Sequence, residues 1–172
     1  MKRVKTSDMV ITAVFSALIA VFSMLSIPTP LGIPLTLQTF IIALAGFSLG
    51  CVKGTVSVIV YIAVGALGIP VFSGFQGGIG ALFGMTGGFI FGFIPFVLLC
   101  GIGNSRKTKL LYSLIGLIIC HLCGILWFSV YSESIVTAFL TASLPYILKD
   151  VVSVVGAMFV SEKIKVITQK IN

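Results

Sequence analysis

Asp150 lies between Ile147-Leu148 and Val151-Val152, inside an apolar run about three turns before Ser161. A carboxylate at such a depth costs several kcal/mol unless paired, and intramembrane ionisable groups mark substrate or ion sites by default. Lys149 is the adjacent cation, but neighbouring helix positions point about 100° apart, so the two face each other poorly. Asp150 is therefore expected to serve a ligand more than a local pair. His121 sits mid-span between Cys120 and Cys123. Soft-metal ligation would need further donors nearby, so a hydrogen bond within the bundle is its expected role, and no metal site is predicted. The four cysteines (51, 100, 120 and 123) fall within or at the ends of apolar runs and read as small apolar filler.

A second stretch, residues 69–92 (IPVFSGFQGGIGALFGMTGGFIFG), carries no charge. It holds Gly77, Gly78, Gly80, Gly84, Gly87, Gly88 and Gly92, with Ser73, Gln76 and Thr86 as its only side-chain hydrogen-bonding groups. So much glycine implies backbones in close approach or backbone amides turned to a ligand. The four-residue spacing of Gly80, Gly84, Gly88 and Gly92 suits a smooth helix face against which a neighbour packs. Gly74-Phe75-Gln76-Gly77-Gly78 suits an outer loop folding back into the bundle, tolerated only where it is protein-buried or lines a cavity. Both uses remain open at this stage. Phe83 occupies the third glycine position of a G-x-G-x-x-G pattern begun at Gly78, so this is no dinucleotide loop.

The elements that hold these residues are membrane spans. Hydrophobic residues make up 58% of the 172 and charged residues only 9%, against roughly 25% in soluble domains. No charge occurs between Asp8 and Lys53 or between Lys53 and Arg106, and each gap is longer than the ~20 residues of one span. Six spans are predicted, at about 8–25, 35–49, 54–69, 85–102, 110–131 and 135–160. The first is read as an uncleaved span, because its apolar run exceeds the roughly 7–15 residues of a signal-peptide core. Three prolines in 28–34 close off the first span, Pro95 predicts a kink, and Pro145 with Lys149-Asp150 interrupts the sixth. On an alternating path ten of the eleven basic residues fall on one side, all except Lys149. They are Lys2, Arg3, Lys5, Lys53, Arg106, Lys107, Lys109, Lys163, Lys165 and Lys170, and the rule for positive loops puts both termini in the cytoplasm. In short loops these charges set orientation, so the net charge of +7 predicts no nucleic-acid partner. Ala13, Ala17 and Ala20, with Ser16, form a small-residue face on the first span, suited to close helix packing inside or between subunits. The tetrapeptide LGIP occurs at 31–34 and 67–70 and reads as a chance match in so apolar a chain.

No G-x-x-x-x-G-K-[ST], H-E-x-x-H or G-x-S-x-G pattern is present, so neither ATP-driven work by the chain alone nor intramembrane hydrolysis is expected. The blocks PTPLGIPLTLQT (28–39), GIPVFSGFQGGIGALFGMTGGF (68–89) and Pro145-x-x-x-x-Asp150 resemble the BioY family. These are the biotin-specific substrate-binding (S) components of energy-coupling factor (ECF) transporters. The resemblance covers nearly the whole chain. It implies an all-α, six-helix S-component bundle as one integral-membrane domain over 1–172. It also implies a biotin pocket open to the outside, no cofactor, and assembly in the bilayer with a transmembrane coupling subunit and two ATP-binding subunits. By the same resemblance Gln76, Gly77, Gly78, Gly80, Thr86, Gly87, Gly88, Phe89 and Asp150 line the pocket, and Ala13 and Ala17 meet the coupling subunit. The chain departs from the family pattern at Phe89, usually Tyr, and at Ser153, usually Lys; Lys149 and Ser153 are the candidates for that lysine's contact. The chemistry is compatible: Asp150 can accept from the ureido N–H groups of biotin, Gln76 can serve its carbonyl, and Phe72, Phe75 and Phe89 can wall the apolar rings. Competing readings are an S component for another vitamin, or a proton-coupled carrier or channel titrating Asp150 and His121.

Overall fold

A computed structural model of the chain describes residues 5–31 and 33–171, with side chains described as far as Ile164. Lys2, Arg3 and Gly32 lie outside the described residues, as do the side chains of Lys165 and Lys170. Helix α1 (Thr6–Met24) leads into strand β1 (Ser26–Ile27), which pairs antiparallel with β2 (Leu35–Thr36) in the register Ser26↔Thr36. The proline-rich segment between them is thus the tip of a short hairpin. Helix α2 (Gln38–Ala66) is broken at Gly50, whose φ of 80° is left-handed and open to glycine. Were α2 straight, Gln38 and Tyr61 would lie about 34 Å apart; instead the Gln38 Nε2 donates to the Tyr61 hydroxyl at 3.0 Å. The chain reverses at Gly50, and the arms 38–49 and 51–66 are two antiparallel spans.

A loop containing the short helix α3 (Ile79–Leu82) leads to α4 (Gly87–Cys100), which runs through Pro95 without a break. Helix α5 (Arg106–Ser132) starts earlier than the sequence suggests, because the Ser105 hydroxyl accepts from the Thr108 N–H and the Thr108 hydroxyl caps in return. The basic residues 106–109 therefore form its first turn. The last span is built from α6 (Ile135–Ala138), a π turn (Phe139–Ser143) and α7 (Leu144–Ile171). The break expected at Pro145 and Lys149-Asp150 falls instead at the π turn. Proline cannot donate to the carbonyl four residues back, and a wider turn just before it absorbs that loss. Counting the two arms of α2, six spans cross the bundle. The second is shorter than predicted, because 35–36 belongs to β2, and the third starts and ends three residues early, with Gly68, at φ 99°, and Pro70 following the helix end.

The expected cytoplasmic end is recognisable. Lys53 pairs with Asp8 at 2.5 Å, and Arg106 pairs with Glu162 at 3.5 Å while its guanidinium lies 4.5 Å from the Phe159 ring centroid. These contacts gather at the basic, cytoplasmic end. Large apolar side chains such as Val14, Leu18, Ile118 and Leu122 face outward, as lipid requires.

The glycine repeat divides in two. Gly88 and Gly92 let α4 approach α5: a Cβ on Gly88 would lie 2.3 Å from Trp127 Cβ, and one on Gly92 3.0 Å from Cys120 Cα. A Cβ on Gly80 would meet nothing within 4 Å. Gly88→Ala is accordingly expected to destabilise the folded protein by about 1–3 kcal/mol through overpacking, and Gly80→Ala to leave it nearly unchanged. Thermal unfolding of the two purified variants checks this, and equal midpoints would contradict the division.

Candidate ligand-binding site

Asp150 is the hub of the buried polar groups. It is carried by α7 two turns below the π turn, with only 5% of its surface exposed. The Thr39 hydroxyl, from the first turn of α2, donates to Oδ1 at 2.6 Å. His121 on α5 brings Nε2 within 3.2 Å of Oδ2, and its Nδ1 lies 2.7 Å from the Ser143 hydroxyl of the π turn. Both ring nitrogens of His121 are thus used within the bundle, Nε2 toward the carboxylate and Nδ1 toward the hydroxyl. Lys149 contacts Asp150 Oδ1 as well, and also donates to the Thr36 carbonyl at 3.0 Å. The expectation that adjacent residues on one helix would face each other poorly is corrected here. The four-carbon stem of lysine bends its ammonium back over the helix surface to reach both oxygens.

Around this hub a cavity reaches from the middle of the bundle to the outer side. Its floor is Asp150, Lys149, Thr39 and His121, and its apolar walls include Phe72, Phe89, Phe93 and Leu117. Phe89 sets its ring edge-on to His121 at 5.9 Å, and Tyr61 does the same to Phe72 at 5.5 Å. A second polar chain runs from Thr36 through Gln38 and Tyr61 to Ser23. It ties β2 to both arms of α2 and α1. The hairpin tip is held over the cavity by Tyr146, which donates to the Ile33 carbonyl and lies 3.1 Å from the Thr29 hydroxyl.

The opposite rim is the loop between α2 and α4. Phe72 N–H donates to the Gln76 carbonyl at 2.8 Å, closing a turn in which Gly74 and Phe75 both take positive φ. Gly78 N–H is bonded to the Gly65 carbonyl at 2.7 Å, and a Cβ on Gly77 would lie 2.6 Å from the Ile69 carbonyl oxygen. Trp127 Nε1 donates to the Gly84 carbonyl at 3.0 Å, and the Tyr131 hydroxyl to that of Phe83, so α5 anchors the loop from outside.

Of the residues singled out from sequence, Phe72, Ser73, Gln76, Thr86, Phe89, His121, Lys149 and Asp150 line this cavity. Gly77 and Gly80 line a second hollow on its outer side, and Gly78, Gly87, Gly88 and Ser153 line neither. Gly87 and Phe89 spend their N–H groups on the carbonyls of Gly84 and Thr86. Ser153 is buried one turn below Asp150. Phe75, expected as a wall, is 65% exposed and lines neither hollow, because its positive φ turns it out at the tip of the loop. Ala13 and Ala17 face outward on α1, whereas Ser16 is buried against α2, donating to the Ser57 carbonyl at 2.9 Å. No group of three or more His, Cys, Asp or Glu side chains that could hold a metal exists among the described residues. Thr36, Gln38, Thr39, Tyr61 and Tyr146 line the cavity without having been singled out. Gln38 and Thr39 close the 28–39 block, and an amide beside a hydroxyl at the start of an apolar span was the available signal.

The arrangement suits a small, largely apolar molecule carrying donors and acceptors at one end, since the Lys149 and Asp150 charges offset each other. The model of the BioY family matches residues 1–170. A protein of Pyrococcus horikoshii named probable biotin transporter BioY is 37% identical over 94% of this chain and 98% of its own length. The biotin transporter BioY of Thermotoga maritima is 35% identical over 88% of this chain and 92% of its own. Among solved structures, the S-component for biotin from an ECF-type ABC transporter superposes with a TM-score of 0.84, at 24% identity and 95% coverage of both chains. That likeness extends to the six-helix architecture. With a family match that runs almost from end to end, this multi-pass membrane protein belongs to the BioY family.

Proposed function

We propose that this chain is the biotin-binding subunit of an ECF-type vitamin uptake transporter in a prokaryotic plasma membrane. It captures biotin from outside and delivers it inward together with a coupling subunit and two ATP-binding subunits. It carries out no catalytic step itself. The observation that carries the reading is the Asp150 hub at the floor of an outward-reaching, phenylalanine-walled cavity, in a chain whose relatives are named biotin transporters. A carboxylate offers about four lone-pair sites. Thr39, His121 and Lys149 occupy three of them, leaving an acceptor for one ureido N–H. Phe72 and Phe89 supply the flat apolar surface that the fused rings need. Gln76 at the rim stands ready as donor or acceptor.

The test is equilibrium binding of radiolabelled biotin to the detergent-purified chain. Saturable binding at one site per chain is expected, displaced by unlabelled biotin. A folded, monodisperse preparation that binds no biotin, or binds another vitamin more tightly, would overturn the reading.

A further inference from the structure

The cavity adjoins a second, more open hollow toward the outside, and the two share Pro34, Ser73, Gln76, Ala81 and Thr86. The remainder of the outer hollow is Gly77, Gly80, Gly84 and Met85. No charged side chain is among these residues. Among the described residues, the only lysine or arginine lining either hollow, Lys149, sits on the floor and is held there by the Asp150 carboxylate and the Thr36 carbonyl. A ligand that puts its polar ring against Asp150 directs its acidic tail into a space that offers no cation. Ser73 lines both hollows; its hydroxyl oxygen is buried with no hydrogen-bond partner among the described residues, so a χ1 rotation is what turns the hydroxyl into the junction. A neutral O–H can donate to an amide carbonyl as well as to a carboxylate oxygen, the charged acceptor making the stronger bond.

We propose that the outer hollow is a subsite for whatever is joined to the carboxyl end of biotin, so that the protein also accepts biotin amides, including the conjugate with the lysine side-chain amine. The proposal rests on the reading of this chain as a biotin-binding protein. Loss of the carboxylate charge removes little, because that charge stays solvated in an open, uncharged hollow. The added amine-derived portion meets glycine backbone and Met85 and encounters no competing like charge.

Displacement of radiolabelled biotin from the purified full chain by biotin, its primary amide and its ε-lysine conjugate tests this. Both amides are expected to displace within about tenfold of the concentration that biotin requires. Amides weaker by about a hundredfold or more, with biotin itself binding well, would overturn the subsite while leaving the function intact. Absence of biotin binding would remove both together. Location is tested by Gly80→Cys, which fits because no atom lies within 4 Å of the new Cβ. With the unsubstituted chain as background, saturating lysine conjugate should slow labelling by an impermeant thiol reagent about fivefold more than saturating biotin does. Equal protection by the two ligands would place the tail elsewhere and overturn the proposal.

Discussion

Asp150→Asn is expected to weaken biotin binding by roughly tenfold to a hundredfold and to lower thermal stability as well. The carboxylate accepts from Thr39 at 2.6 Å and faces His121 at 3.2 Å, with Lys149 on the same oxygen as Thr39. Asparagine keeps the shape but turns one acceptor into an N–H₂ donor, which must face either those donors or the ligand's own N–H. Each charge-assisted hydrogen bond to the ligand contributes about 1.5–3 kcal/mol, which sets the binding loss. The stability loss has a separate origin, since a half-buried lysine is left without its counter-charge. Combining Asp150→Asn with Lys149→Met should therefore recover the midpoint of unfolding without recovering affinity. Equilibrium binding and thermal unfolding on the same three preparations separate the two effects. Full affinity in the single variant would assign Asp150 a structural role only.

The double variant Ala13→Leu/Ala17→Leu is expected to reduce ATP-dependent uptake to background in cells that supply the partner subunits. Biotin binding by the purified chain should stay within about threefold of the parent. Both alanines face outward on α1, while Thr12, Ser16 and Ile19 on the opposite face are buried against the bundle. Leucine there fills the groove that lets another helix approach closely, and interhelical contact in lipid depends on that approach. Lost binding by the purified variant would show that this face supports the fold. Undiminished uptake would place the partner contact elsewhere, and uptake that follows a proton gradient without any ATPase would favour a carrier.

Much of this protein was legible before any helix was packed. Charge-free runs longer than a span, separated by basic loops, determine both the number of crossings and their orientation, because transfer of each segment into lipid is nearly a local sum. Asp150 stood out for the same reason, since the cost of an unpaired charge rises with its depth in the span, and depth is legible along the sequence. The glycine-rich segment was visible too, but its two uses could not be separated by spacing. Gly80 and Gly88 belong to one four-residue repeat, yet one faces open space and the other abuts Trp127.

Tertiary structure decided what meets Asp150. Thr39 is 111 residues away in the chain and His121 lies on another helix, so no local pattern brings them together. Their meeting follows from the reversal at Gly50, which brings the start of α2 beside α7, and from the π turn, which sets Ser143 against His121. The same holds for the loop amides. Gly78 could have offered its N–H to a ligand, but the approach of the end of α2 gives that N–H to Gly65. Sequence alone determined where chain and charge lie relative to the bilayer, because burial in lipid acts on each segment separately. Which polar groups remain for a ligand was decided only by packing, because a hydrogen bond needs two partners whose distance no one segment controls.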